Sequence, residues 1–573
     1  MRKSTTVLAA GAVAAVATGL AGTSGATAAG DGARAIPVQL LSFNDYHGHL
    51  EATDRPLASD PAATPAGGVE YLSAKLTQLR AKVGDANSLT VAAGDTIGGS
   101  TFLSGMFHDE PSVESLNTLG LDVTSVGNHE FDEGTAELLR MQRGGCHPVD
   151  GCYFPDQPYA GANYPYLAAN VFKKSDNKLL LPGTTVRKVG GVPIGFIGLT
   201  LKGTPSLVDP AGVASVRFAD EIQTVNQQAG ALNRRGVKAI VVLIHQGGEQ
   251  SPTTSNYDGC QGFNGPIADM APRFSALVDV VVSGHTHQPY VCTQTDPQGR
   301  PRLLTSAASY GQMVTETYFN INSVTKDINR NSFVSHNVVV DRSSTPDPAE
   351  TAVISKWQAL AGPIAGAVVG TVAQDVTGDS GGNRGIETPM GDLIADAILW
   401  GTQSGNTQLA FMNIGGVRNS FLVNGIANGE NPGEITYTEA YNVAPFGNLL
   451  VSLDMTGQQI KDTLEQQFIA GRPGGRDALG LGVSAGFSYT WDATQPQGSK
   501  VVPGTMSLHG VPMDMAATYR VGTINFLANG GDSFSGFMAG TNLLGGKEDL
   551  ANLVDYLGAH PGITPPADRV TGL

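Results

Sequence analysis

Five apolar runs of strand length in the first half of this 573-residue chain each finish on a side chain able to hold a metal ion. IPVQLLSFND runs into Asp45, with His47 two residues on; SLTVAAGD ends on Asp95; LDVTSVGNHE reaches Asn128; KAIVVLIHQGG contains His245; VDVVVSGHTH closes on His285 and His287. Helix-patterned segments such as GGVEYLSAKLTQLRAKV and FADEIQTVNQQAGALNRRG separate the runs, so the first half reads as α/β. In α/β sheets ligands gather outside the carboxyl ends of strands. Seven residues scattered from Asp45 to His287 therefore have a physical reason to meet.

Each ending has an ordinary explanation when taken alone. Asp45 can cap a turn, Gly-Asp and Gly-Asn pairs are common turn chemistry, and His245 can be a core histidine. Five such endings in one domain, with the GHTH doublet among them, point instead to a common site. Two carboxylates, four imidazoles and an amide exceed one tetrahedral ion and suit two ions sharing a bridging carboxylate, for which Asp95 is placed. The imidazole–carboxylate mixture favours Zn, Mn or Fe over Mg or Ca. A pair of divalent ions suits in-line displacement at a phosphoester.

Length predicts two to four domains. The first is expected over residues 36–340. A Ser/Pro/Asp-rich stretch, DRSSTPDPA, opens a linker and helix over 341–366, with the helix ending near Leu360. A second, α+β domain is expected over 367–560, with helices starting at Thr388-Pro389 and at Thr456. A formal net charge of −16 with only 35 Lys+Arg argues against a nucleic-acid polymer as partner. A small anionic substrate would need local positive charge from metal ions and a few arginines.

Arg2 and Lys3, the apolar stretch from Val7 to Leu20, and Ala26-Thr27-Ala28 read as a signal peptide over 1–28 with cleavage near Ala28. No later stretch looks long and apolar enough to span a membrane, so an exported, soluble protein is expected. Four cysteines in an oxidising compartment suggest two disulfides. Cys146–Cys152 would close a small loop in GGCHPVDGC and leave Cys260–Cys292 as the longer tie; a zinc site using His147 is the alternative.

The ordered set D-x-H, GD, GNHEFD, a downstream H and GHTH resembles the calcineurin-like metallophosphatases, and more narrowly the secreted 5′-nucleotidase/UDP-sugar hydrolase group. The resemblance implies a four-layer metallophosphatase sandwich followed by a C-terminal substrate-specificity domain. It implies one ion held by Asp45, His47, Asp95 and His287, and another by Asp95, Asn128, His245 and His285. His129 would face the phosphoryl group or protonate the leaving group, oriented by Asp132, with Asn128 beside the substrate. Glu130 is expected to face away, without a role.

In the second half, NRGIETPMGD with Arg384, NIGGVRNS with Asn413 and Arg418, VAPFGN with Phe446, and INFLANGGDSF with Phe526 and Asp532 resemble the C-terminal domain of the same group. The resemblance implies a base held between Phe446 and Phe526, ribose hydroxyls on Asp532, and phosphate at the metals. The expected function is an exported, dinuclear-metal phosphohydrolase that removes the 5′-phosphate from nucleoside monophosphates, with nucleotide di-/triphosphates or UDP-sugars as further candidate substrates. The alternatives are a 2′,3′-cyclic-nucleotide phosphodiesterase and a nucleotide-binding protein without turnover. Oligomeric state is not readable from the residues.

Overall fold

The computed structural model describes residues 33–573 apart from 53–56, 58–64, 209–211, 251–255, 379–382 and 473–474. The expected leader, 1–28, lies outside the described residues. Among the described residues, no helix is long and apolar enough to cross a membrane.

Strand Ala239–His245 shows why the first half layers as it does. Val241 and Leu243 point into one apolar cluster while Ile240, Val242 and Ile244 point into another, so both faces are buried. Side chains alternate along a strand, and a strand apolar on both faces must lie in a covered sheet. Two six-stranded sheets answer this demand. One runs in the order Ile328–Val339, Met313–Asn322, Ala35–Phe43, Ser88–Ala93, Val123–Ser125, Tyr166–Leu167; the other runs Tyr290–Thr295, Pro301–Ser306, Val280–Ser283, Ala239–His245, Val192–Thr200, Thr184–Val189.

The sheets meet face to face through Val38, Leu40, Val91 and Val123 on one side and Phe196, Val241, Leu243 and Val282 on the other. Helices Val69–Arg80, Glu110–Thr118, Gly134–Arg143 and Pro348–Ala365 cover the first sheet; Glu221–Arg234 covers the second. The result is a four-layer α–β–β–α sandwich. Ala35–Phe43, Ser88–Ala93 and Val123–Ser125 are parallel, as are Ala239–His245 and Val280–Ser283. Their carboxyl ends are the runs that finish on the seven polar residues.

Helix Pro348–Ala365 is N-capped by Asp347, whose side chain accepts from Ala349 N–H. It runs five residues past Leu360, through Pro363, because a proline this close to the carboxyl end forfeits only a late helical bond. Trp357 is buried and donates to Glu114 at 2.9 Å, fixing the helix to the first sheet's helical layer.

In the second half, a five-stranded sheet runs Leu481–Val483, Leu409–Asn413, Thr518–Ile524, Leu449–Thr456, Thr541–Glu548. Helices Pro389–Gly401 and Gly457–Glu465 start where Thr388 and Thr456 accept from the third residue on, and Thr456 and Gln459 complete a capping box. The expected end at 560 is too early. Val570–Thr571 pairs with Phe487–Thr490, and Arg569 reaches Asp396 at 2.7 Å, so the last residues are part of the packed structure.

Both expected disulfides, Cys146–Cys152 and Cys260–Cys292, are formed. The zinc alternative in which Cys146 and Cys152 serve as ligands is therefore set aside.

Candidate metal centre and substrate cleft

The strand ends converge. Asp45, His47, Asp95 and His245 are buried, as are Asn128 and His285, while His287 is partly exposed at the rim. Five of them, Asp45, His47, Asp95, His285 and His287, have left-handed backbones, with φ between 49° and 75°. Non-glycine residues hold this conformation at a cost, and it concentrates where tertiary structure must aim a side chain.

Hydrogen bonds fix which ring nitrogens face the site. His47 Nδ1–H donates to the Gly98 carbonyl at 2.7 Å, and His245 Nδ1–H donates to the Ala93 carbonyl at 2.8 Å. A carbonyl only accepts, so in both rings Nδ1 carries a proton and Nε2 is the nitrogen turned to the site. His245 Nε2 lies 2.8 Å from Asp95 Oδ2, and His47 Nε2 lies 3.8 Å from the same oxygen. His287 Nε2 stands 3.3 Å from both Asp45 Oδ1 and His47 Nε2. Asp45 is held by the His285 N–H at 2.9 Å and by Asn44 at 2.6 Å.

The atoms fall into two groups, each within 4.8 Å: Asp45, His47 and His287, and Asp95, His245 and His285. Asp95 lies between them. Asn128 Oδ1 is buried without a hydrogen-bond partner, which leaves a ligand atom that a cation would satisfy. The residues present therefore fit divalent ions. Burial holds the His47, His285 and His287 imidazoles well below their ordinary pKa, with Arg476 and other cations adding to it at His285 and His287. They are neutral, the form that binds metal. Burial would also lower His245, but Asp95 and Asp45 overcome it and hold it up at about 9; its proton is the one a metal ion would replace.

Glu130 corrects the expectation from sequence. It is buried, and its carboxylate accepts from the backbone N–H of Asp95 at 3.0 Å, of Thr96 at 2.7 Å and of Gly127. It braces the turn that presents Asp95 instead of facing away. Gly127 is required in this turn, because a β-carbon there would stand 2.1 Å from Asp95 Oδ1. Next to it, His129 N–H donates to Asp95 Oδ1 at 2.9 Å, and His129 Nδ1 lies 2.8 Å from Asp132 Oδ2, which also accepts from Gly99 N–H. Burial lowers the His129 pKa, but Asp132 and Asp95 more than offset this, so it is raised overall. Nε2 is the nitrogen left to the cleft.

That cleft is walled by both halves of the chain. Asp95, Asn128, His129, His285 and His287 line one side; Arg384, Asn413, Arg418, Phe446, Phe526 and Asp532 line the other. Phe446 and Phe526 are only partly buried, as cleft walls are, and Phe446 lies nearly parallel to the His129 ring, 5.8 Å away. Asn413 donates to Asp532 at 2.7 Å, and the Arg418 guanidinium sits 5.6 Å above the Phe446 ring. Every site residue expected from sequence thus borders either the metal-ligand cluster or this cleft.

Two lining arginines were missed. Arg472 and Arg476, in the sequence GRPGGRDALG, join Arg384 and Arg418 in the cleft. Burial, then Arg476 and Arg418, bring the Arg384 pKa down to about 9. Arg384, Arg418 and Arg476 thus gather positive charge in one cleft of a chain whose formal net charge is −16. The available signal was an arginine within two residues of a glycine, as Arg384 and Arg418 are.

Residues 39–289 match the family model for calcineurin-like phosphoesterases, and 368–539 match the model for the 5′-nucleotidase C-terminal domain. The endonuclease YhcR of Bacillus subtilis (strain 168) is 34% identical over 91% of this chain, which spans only 40% of that protein's length. The cell wall protein Lmo0130 of Listeria monocytogenes is 30% identical over 93% of this chain and 68% of its own. The crystal structure of a 5′-nucleotidase precursor from Thermus thermophilus is similar at a TM-score of 0.74 and 26% identity, covering 93% of this chain and 99% of that one.

Proposed function

The chain belongs to the calcineurin-like phosphoesterases that carry a 5′-nucleotidase C-terminal domain, and on that premise we propose that it removes the 5′-phosphate from nucleoside monophosphates, outside the cell, at a centre of two divalent ions. It is a metal-dependent phosphoesterase of the 5′-nucleotidase type. The observation that carries the finer reading is the single cleft shared by the ligand cluster, the His129–Asp132 pair and the Arg/Phe set of the second half.

Asp45, His47, Asp95 and His287 would hold one ion, and Asp95, Asn128, His245 and His285 the other. Bound divalent ions supply positive charge to phosphate oxygens and make water easier to deprotonate. The chain's own side chains do the rest. Arg384, Arg418 and Arg476 neutralise and orient the phosphate. Phe446 and Phe526 take the base between their faces, and Asp532, oriented by Asn413, accepts from ribose hydroxyls. Asp132 fixes the His129 tautomer so that Nε2 can hydrogen-bond the phosphoryl oxygen or give a proton to the departing O5′. Two disulfides, the leader-like N-terminus and a cell wall protein among the relatives support export.

The endonuclease relative favours a second reading, cleavage of a nucleic-acid strand. The net charge of −16 weighs against a polymer. Protein stripped with EDTA and reloaded with Zn, Mn or Fe should release phosphate from AMP with a higher kcat/KM than it opens 2′,3′-cyclic AMP or cuts single-stranded DNA. A preference for either diester, or tight AMP binding without phosphate release, overturns the proposal. Nucleotide di- and triphosphates and a UDP-sugar complete the panel.

A further inference from the structure

The disulfide loop that the central site does not use carries a separate group of ligand-competent side chains. Cys146–Cys152 closes GGCHPVDGC into a small hairpin in which His147 and Gly151 exchange both backbone hydrogen bonds at 3.0 Å. The Asp150 N–H donates to His147 Nδ1 at 3.1 Å, so the loop presents His147 and Asp150 together. Against it lies His108, at a left-handed corner that includes Asp109. The two imidazoles stack at 3.7 Å with 21° between their planes. His108 Nδ1 is 2.7 Å from Glu133, and its Nε2 is 2.7 Å from Asp150.

We propose that His108, His147 and Asp150 form a third metal site, for a borderline divalent ion of the zinc class. The donor set, two imidazoles and a carboxylate from two chain segments, is one that such ions prefer. Ligand atoms of His108, His147 and Asp150 already lie within 4.8 Å of one another. Donors on one tetrahedral zinc stand about 3.3 Å apart, from bond lengths near 2.0–2.1 Å. Closing that gap takes a turn of the His147 ring out of its stack on His108 and of the Asp150 side chain, which is 50% exposed. Glu137, also nearby, is excluded as a ligand because Arg140 takes both of its oxygens at 2.9 Å.

The charges agree with the donors. Burial would strip the His108 proton, but Glu133 and Asp150 hold its pKa up at about 9, so this cation now separates two carboxylates. That arrangement leaves one surplus negative charge. A divalent ion in place of the proton would cancel it. His147 is already held below its ordinary pKa by burial and by His108, and so is neutral.

The site's position gives it a role. Glu133 directly follows Asp132, which orients His129. His108 directly precedes Asp109, whose carboxylate accepts from Gly98 N–H at 2.9 Å, and the Gly98 carbonyl in turn accepts from His47 Nδ1. An ion here would pin the hairpin to His108, whose other ring nitrogen is bonded to Glu133; His108 and Glu133 each adjoin a residue in the hydrogen-bond chains that orient His47 and His129.

The test is a zinc count on the full-length chain. Wild type, His147→Ala and Asp150→Asn are stripped with EDTA, equilibrated at the same micromolar free Zn2+ and analysed for metal per chain. Wild type is expected to hold one equivalent more than either variant, and this difference does not depend on how many ions the central site takes. Titration with Co2+ gives a second readout: the extra equivalent should bring a visible absorption band that Asp150→Asn, an exposed and conservative change, weakens. Equal zinc content in all three proteins, or an extra equivalent that persists in both variants, overturns the proposal.

Discussion

Replacing Glu130 with alanine should unsettle the protein far more than a change beside a solvent-facing loop would. The carboxylate accepts four hydrogen bonds: from the backbone N–H of Asp95, Thr96 and Gly127, and from the Thr96 hydroxyl at 2.8 Å. The hydroxyl can turn to Tyr166 Oη, 3.2 Å away. The three amides have no such recourse, and a buried donor left unsatisfied costs about 1–3 kcal/mol. Their sum, about 3–6 kcal/mol if entering water satisfies part of the loss, is a large share of the roughly 5–15 kcal/mol that holds a domain folded. At about 2 °C per kcal/mol for a large domain, the melting temperature of the metal-loaded protein should fall by about 6–12 °C. Glu130→Gln keeps the volume and one acceptor oxygen, and should lose roughly half as much. Because the lost bonds fix the turn carrying Asp95, both variants should also hold metal less tightly. Thermal unfolding and metal analysis on the same samples check both effects. An alanine variant that melts within about 2 °C of wild type and retains its full metal content refutes the bracing role.

Removing the proposed proton donor by His129→Ala should lower kcat by about 10²–10⁴ with metal content unchanged, a loss read from phosphate release and metal analysis together. Phe446→Ala should raise KM for AMP about ten- to a hundredfold, since stacking a base on an aromatic ring contributes about 1–3 kcal/mol. Glu350, on the linker helix, is fully buried, and neither carboxylate oxygen meets hydrogen-bond geometry although Ser115 lies beside it; burial pushes its pKa up to about 8. The folded state then binds a proton that the unfolded state has released, so Glu350 weakens stability increasingly as pH rises from about 4.5 to 8. Glu350→Gln should stabilise the protein by on the order of a few kcal/mol above pH 8, with no gain below about pH 4.5, in denaturant unfolding at both pH values. Replacing Cys260 and Cys292 with alanine should cost about 3–4 kcal/mol, against about 2 for Cys146 and Cys152, because the bridges span 32 and 6 residues. The same unfolding experiment ranks the two.

Much of the site was legible because one local rule governs it. A run apolar at every position must be a covered strand, and the polar residue that breaks the run must sit at the sheet's end. Asp45, Asp95 and His285 could be named on that ground alone. The starts of helices Pro389–Gly401 and Gly457–Glu465 were equally local, since Thr388 and Thr456 cap amides only a few residues away. Glu130 was misread for the complementary reason. Beside Asp132 and Glu133 it looks like one more solvated acid, and nothing within the motif shows that the turn at Gly127 folds it beneath Asp95. Arg476 and the pairing of His108 with Glu133 and the hairpin of His147 were hidden likewise.

The sequence by itself determined which residues stand at strand ends, which threonines cap helices and which chemistry the donor types allow. Each follows from a period of two or a spacing of three, and so from neighbours along the chain. The tertiary structure alone decided which nitrogen of His47 and His245 faces inward, which acid is buried, and that Phe446 comes to lie over Gly99 and His129. Those outcomes depend on contacts between segments that meet only when two sheets stack and two domains close, and no local pattern encodes such distances.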